Sequence, residues 1–367
     1  LAVHESLRDR GYCGLPVMLI ADLEGSLPSG QVSDAVRRLG QLYPALSARI
    51  RWSPILKRAG WSIAPAWAEE GAVVYEHHLA DPGVAASHEL IRQALDAPID
   101  LTQGPSVKVV HVQLADHKHR LALRWAHPLM DMEGGHLLLG ELGRIIRGEP
   151  PLLDRDPRAV FPRPFPWRFP GSFLRVWQGR GRHAYQDSFR QPRIVAKPDN
   201  GRKHVNFVLR RYAAGARQNY EAFAREHTTA GPLRYSRGLM IGLARVYVAL
   251  ATERGRPREH YLFSHALPLP RPTARPGVHG NYVTIPWIVF PAGCLGAWSS
   301  ADGELCRQFA DYHHQHRDQA MWEMSRAMRS WPFPLTRFVV RHRVPRGAAS
   351  CTGYRFDDTV ERVGEAT

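Results

Sequence analysis

The chain has 367 residues, of which 44% are hydrophobic, 10% aromatic and 23% charged; this sets a prior of two domains or subdomains and excludes collagen, coiled coil and wholesale disorder. Its 49 lysines and arginines against 34 acidic residues leave a net charge of +15, so nucleic acid, an anionic membrane surface, an acidic protein or an anionic cofactor are all admissible counter-partners. Four cysteines (Cys13, Cys294, Cys306 and Cys351) without C-x-x-C spacing argue against a zinc ribbon or a secreted disulfide framework and suit a reducing, cytoplasmic compartment.

No apolar run approaches the ~18 residues of a membrane span. The start at Leu1 lacks the basic, apolar and small-residue order of a secretory leader. In chain order, Leu15 to Leu23 predicts a strand and Gly25 to Gly30 a turn. From Ser33, the apolar residues Ala35, Val36, Leu39 and Leu42 share one helical face. Ser33 or Asp34 is the expected cap, and Pro44 ends the helix near Tyr43. Ala48 to Trp52 reads as a second strand.

Residues 105–127 predict a β-hairpin. Val110, Val112 and Leu114 alternate on its first arm, residues 115–119 form a polar turn, and Leu121, Leu123 and Trp125 alternate on the second arm. Period two then puts His127 on the same face as those three apolar residues. A loop spanning Pro128 to Gly135 follows, and His136 to Arg147 reads as a helix. The histidine thus stands on a strand-to-helix loop at a sheet edge, a common position for chemistry.

Residues 144–211 hold 16 basic against 5 acidic residues, so +11 of the charge is concentrated there. Proline is dense in this stretch (Pro150, Pro151, Pro157, Pro162, Pro164, Pro166 and Pro170), which predicts a stiff, extended connection. The expected organisation is an N-terminal lobe over 1–143, a basic crossover over 144–204 and a C-terminal lobe over 205–367. In the crossover, Phe161, Phe165, Trp167, Phe169, Phe173 and Trp177 interleave with Arg163, Arg168, Arg175, Arg180 and Arg182. Three readings stay open: aromatics packed on the protein with arginines in water, an interfacial membrane or lipid surface, or a site for another anionic partner. No DNA- or RNA-binding module matches, which lowers nucleic acid among them.

The second half predicts a strand at Val205 to Leu209, helices at 215–227 and 236–253, and a strand over 261–269. A loop over 270–281, an apolar run over 282–293, a helix over 303–330 and a strand from Phe338 to Arg343 complete it. Alternating strands and helices give an α/β or α+β class.

The sharpest local motif is His127-Pro128-Leu129-Met130-Asp131, with Gly134 and Gly135 close behind. An imidazole in a cleft is well matched to removing a proton near neutral pH; a packed structural histidine is the competing reading. The carboxylate four residues on would pair with an arginine or orient the ring. His111, His117 and His119, and the group His313, His314 and His316, carry no cysteine or carboxylate spacing of a zinc site, so no metal is expected.

With these residues in hand, the chain resembles the chloramphenicol-acetyltransferase-like acyltransferases, the superfamily of condensation domains and wax ester synthase/diacylglycerol acyltransferases. Their H-H-x-x-x-D-G signature is matched by Ala126 to Met132, with Ala126 in place of the first histidine and Met132 in place of the glycine. The lead-in Pro98-Ile99-Asp100-Leu101 to Gly104-Pro105 is similar to the family's, and so is Tyr43-Pro44-Ala45-Leu46. His265 to Arg271 and Gly280-Asn281 in the second half look like its strand, arginine and G-N loop. The resemblance implies a two-lobed fold of mixed sheets and helices with a tunnel between the lobes. It implies His127 as general base, with no covalent acyl-enzyme, Asp131 paired with Arg271, and Gly135 and Asn281 shaping the site. The donor would be acyl-CoA or a phosphopantetheinyl thioester on an acyl carrier protein, used as co-substrate with no bound cofactor. The acceptor would be an alcohol, lipid alcohols included. A stand-alone condensation enzyme acting on an amine or alcohol is one alternative, and a catalytically silent scaffold on the same fold is another. The expected location is cytoplasmic, with the basic strip offering a peripheral contact to membrane.

Overall fold

The computed structural model describes Glu5 and residues 14–53, 58–63, 72–78, 84–114, 117–153, 215–231, 233–268, 283–284, 286–315, 331–343 and 349–351. Arg271, Asn281, the aromatic–arginine strip, His316 and the expected strand at 205–209 lie outside these residues.

The first sheet has four strands: β1 (Pro16–Glu24), β4 (Ala72–His78), β5 (Val107–Gln113) and β6 (Lys118–Ala126), in the order β1-β6-β5-β4. β6 runs antiparallel to both neighbours, Pro16 standing opposite Ala126 and Val107 opposite Trp125, while β4 is parallel to β5. Between β1 and β4 come α1 (Ser29–Leu42) and a short hairpin of β2 (Arg49–Ser53) and β3 (Arg58–Ser62). Next in the chain is α2 (Val84–Asp96), and α3 (Met132–Ile146) follows β6.

One sheet face, with Val107, Val109, Leu121, Leu123 and Trp125, packs with Val32, Val36 and Leu39 of α1 and Leu138 and Leu142 of α3. The opposite face, with Val110, Val112 and Ala122, packs with Ile91 of α2. β6 is therefore buried along both faces from His119 to Ala126, where alternation alone predicted one covered face. Two arginines become internal as a consequence, and each is given partners. Arg120 Nε donates to Asp22 at 2.6 Å and its Nη1 to Ser87 Oγ at 2.6 Å. Arg124 donates to the carbonyls of Ala97 and Leu95, placing a cation on the negative end of α2.

The expected capping of α1 by Ser33 or Asp34 is not what forms. The helix starts four residues earlier, and the Pro28 carbonyl accepts from Gln31 and Val32. Asp34 instead pairs with Arg37 one turn on, at 2.7 Å. At the other end, Tyr43 Oη donates to the buried Glu141 carboxylate of α3 at 2.5 Å, and Leu152 N–H donates to the same carboxylate at 3.1 Å. This ties α1 to α3.

The second sheet has the order β10-β7-β11, from β7 (His260–His265), β10 (Trp287–Pro291) and β11 (Ala349–Cys351). β8 (Leu267–Pro268) and β9 (Val283–Thr284) form a separate small pair. Helices α4 (Ala216–His227), α5 (Arg234–Glu253) and α6 (Trp298–His314) accompany this sheet. Its core joins Met240, Ile241 and Ala244 to Tyr261, Phe263, Ile288, Phe290, Ala301 and Leu305. A buried ion pair, Arg237 Nε to Asp302 Oδ1 at 2.8 Å, crosses from α5 to α6, and Thr229 N–H donates to Asp302 Oδ2 at 2.7 Å. Burial alone would raise the Asp302 carboxyl, but hydrogen bonds from Arg237 and Thr229 outweigh it and hold it low.

The expected strand from Phe338 to Arg343 is a helix, α7 (Phe333–Arg343). The paired valines favour a strand, but Pro332 and Pro334 preset the first turn. The Pro332 carbonyl accepts from Leu335 and Thr336 at 3.0 and 3.2 Å. Phe333 then sits edge-on to Trp52 of β2, ring centroids 4.6 Å apart. The helix expected over 303–330 begins earlier, at Trp298, and is described to His314. Among the described residues no helix is long and apolar enough to cross a membrane.

Candidate active site

The strand β6 delivers the motif to the sheet's end under tight control. Ala126 N–H donates to the Ser106 carbonyl at 3.1 Å, and Ser106 Oγ donates to the Ala48 carbonyl at 3.0 Å. The Ala126 side chain packs among Ile50, Ile99 and Leu101, a space that suits a methyl group. His127 is half-buried, and its N–H donates to the Leu15 carbonyl at 3.0 Å. The ladder with β1 thus extends one residue beyond the strand before the chain turns. Gly14, with φ of 107°, takes the left-handed conformation just before Leu15, which glycine adopts without steric cost.

The turn closes with Leu129 N–H on the Ala126 carbonyl at 2.9 Å, and Leu129 and Met130 are fully buried. Trp125 then reaches forward: its indole Nε1–H donates to the Met130 carbonyl at 3.0 Å. Asp131 ends the loop as the cap of α3, its carboxylate accepting the Gly134 N–H at 2.8 Å. An aspartate at this position satisfies an otherwise unpaired helix donor and meets the positive end of the helix dipole. Asp131 is 3% exposed, so its carboxylate is held inside.

The helix starts at Met132, four residues before the expected His136, because the Asp131 cap and the Gly135 N–H bond to the Asp131 carbonyl at 3.1 Å begin it there. Met132 occupies an ordinary helical position with no positive φ. The motif's missing glycine therefore imposes no backbone strain. Gly135 has a different role. A Cβ there would lie 2.3 Å from Trp125 Cη2 and 2.6 Å from Cζ2, so the absent side chain is what lets α3 rest on the indole.

Sequence and structure thus bring His127, Asp131 and Gly135 into one strand–loop–helix unit, while Arg271 and Asn281 fall outside the described residues. Trp125 and Ser106 were missed as loop-setting residues. Trp125 carried only the signal of an apolar strand position; its partner ten residues on is visible only once α3 folds back. The histidines weighed for metal include a buried pair, His111 Nε2 to His119 Nδ1 at 3.1 Å. Among the described residues no group of three His, Cys, Asp or Glu could hold a metal ion.

No family model matches the chain, and no curated protein does. Its fold, however, is shared with solved structures. The first condensation domain of the calcium-dependent antibiotic synthetase, in complex with a substrate analogue, is 14% identical; the match covers 99% of this chain and 81% of that one, with a TM-score of 0.65. F. sporotrichioides TRI101, complexed with coenzyme A and T-2, is 14% identical over 88% of this chain and 76% of that one, at 0.57. The tallysomycin biosynthesis protein TlmII is 15% identical over 90% and 76%, also at 0.57. The chain has the α+β condensation-domain fold, as its motif resemblance implied.

Proposed function

We propose that the protein is an acyltransferase that moves an acyl group from a thioester to an alcohol, with His127 as general base. The observation carrying this reading is His127 itself, half-buried on a loop held at both ends by backbone bonds, on the fold of condensation domains. A ring nitrogen takes the acceptor's proton as its oxygen attacks the thioester carbonyl. The tetrahedral oxyanion requires a nearby donor. Its collapse breaks the C–S bond, and the proton passes from the imidazolium to the departing thiolate. One thioester and one alcohol become one ester and one thiol, with no acyl-enzyme formed.

We assign Asp131 a structural role as loop anchor and helix cap, paired with Arg271 as the resemblance implies, with Asn281 shaping the tunnel loop. Acyl-CoA and an acyl carrier protein are both anionic donors suited to a basic surface. The likeness to a condensation domain supports a second reading, in which a carrier-bound acyl group meets an amine or alcohol.

The test incubates the protein with acetyl-, octanoyl- or palmitoyl-CoA and a panel of alcohols and amines, and follows thiol release. His127→Ala should lower turnover by on the order of 10²–10⁴-fold. Turnover unchanged in that variant would remove the general base. Transfer from an acylated carrier protein alone selects the condensation reading, and no transfer from any donor favours a silent scaffold.

A further inference from the structure

We propose that Trp125 is a positioning residue for His127. Its indole fixes the loop that carries the imidazole, through one hydrogen bond and one packing contact. This rests on the reading of His127 as a general base.

The geometry is specific to the two ends of the loop. His127 is fixed on its N-terminal side by β-ladder bonds, to the Leu15 carbonyl and through Ala126 to the Ser106 carbonyl. On its C-terminal side the loop runs into α3, whose later turns are held on the sheet by Leu138 and Leu142 and tied to α1 through Glu141. Trp125 holds the first turn, next to the loop. Its Nε1–H holds the Met130 carbonyl at 3.0 Å, one residue before the Asp131 cap. Its six-membered ring fills the space a Cβ of Gly135 would occupy, so the first turn of α3 rests directly on the indole. The ring is fully buried and sits two residues before the histidine on the same strand. The side chain that sets the loop therefore moves with the strand that carries the base. A carbonyl left without its donor inside the core must find another partner, and the loop is what can shift. Misplacement of a reacting group by about 1 Å costs on the order of 10²-fold in rate.

The test compares Trp125→Phe, which deletes the donor and part of the ring, with incorporation of 3-benzothienylalanine at position 125. The second variant keeps the ring volume and deletes only the donor, so it remains informative if the first folds poorly. Backbone hydrogen exchange of residues 127–135 is measured in both, with residues 236–265 as internal reference. Thiol release from octanoyl-CoA is measured alongside, in the presence and absence of His127→Ala. Exchange should rise in the loop and leave the reference unchanged. kcat should fall on the order of 10–100-fold at unchanged KM for the thioester. In the His127→Ala background the variants should produce no further loss. Unchanged exchange in both variants overturns the proposal whatever the activity. So does raised exchange with unchanged kcat, or an equal loss whether or not His127 is present. Failure of the general-base reading is distinct: it is read from His127→Ala alone, in a chain with Trp125 intact.

Discussion

Gly135 and Trp125 form the contact on which the site's geometry depends most directly. Placing a methyl group on a helical glycine ordinarily stabilises by about 1 kcal/mol, but here it would overlap the indole at 2.3 Å. Overpacking of this kind costs about 1–3 kcal/mol, so the overlap decides the sign. Gly135→Ala should lower the urea midpoint, and Trp125→Phe in the same chain should restore part of it, because phenylalanine lacks the atoms that clash. A Gly135→Ala variant as stable as the parent would end the clearance argument. His127 and Asp131 were legible in the sequence because their spacing is a local property. Gly135 was legible only as a glycine near the motif, and its reason lies in a ring ten residues earlier.

At the scale of elements, β6 organises the N-terminal unit, and its buried polar residues show how. His119 Nε2 lies 3.1 Å from the Gly25 carbonyl and its Nδ1 lies 3.1 Å from His111 Nε2, with the two rings stacked 5.3 Å apart. A carbonyl only accepts, so the hydrogen-bond network assigns the proton to His119 Nε2 and leaves Nδ1 to accept from His111. That arrangement needs a neutral His119. Burial pushes its imidazole below the ordinary 6.5, with the Gly25 bond opposing and nearby His117 adding to the depression. Burial lowers His136 on α3 in the same way, opposed by Glu133. The unfolded chain then binds more protons than the folded one between the lowered values and 6.5. Stability is full above that window and falls as pH drops through it. Thermal midpoints should decline as pH drops below about 6.5, and His119→Gln should flatten the decline. A flat profile in the parent chain would refute it. The strand's periodicity announced one covered face, but not α2 on the other, because a helix that ends at Asp96 leaves no mark on the alternation of a strand that begins at Lys118. The burial of Arg120 and Arg124 on that second face goes unannounced for the same reason. α7 shows the opposite failure: its valines read as a strand, while two prolines at its start decide for helix.

Across the whole molecule, charge is the property most unevenly distributed. The stretch 144–211 carries +11 of the +15, leaving the remainder of the chain near balance. The part of that stretch through residue 153 is described, and there Arg144 and Arg147 are held by Glu149 at 2.8 and 2.6 Å. The aromatic–arginine strip from Phe161 onward lies outside the described residues. If it meets an anionic surface, the protein should float with vesicles containing phosphatidylserine at low salt and be released as salt rises. Replacing Arg163, Arg168 and Arg175 by glutamine should weaken that binding. Vesicle binding indifferent to salt and to the substitutions would return the strip to packing.

By itself the sequence determined the hairpin that leads into the motif and the position of the histidine between strand and helix, since periodicity and turn chemistry act over a few neighbouring residues. The tertiary structure alone decided which faces of those elements are covered. It sealed Arg120 and Arg124 inside and laid Gly135 on Trp125. Each of those outcomes depends on elements brought together across the chain, and close packing, which tolerates neither an overlap nor an unpartnered polar group, selects the residue at each point of contact.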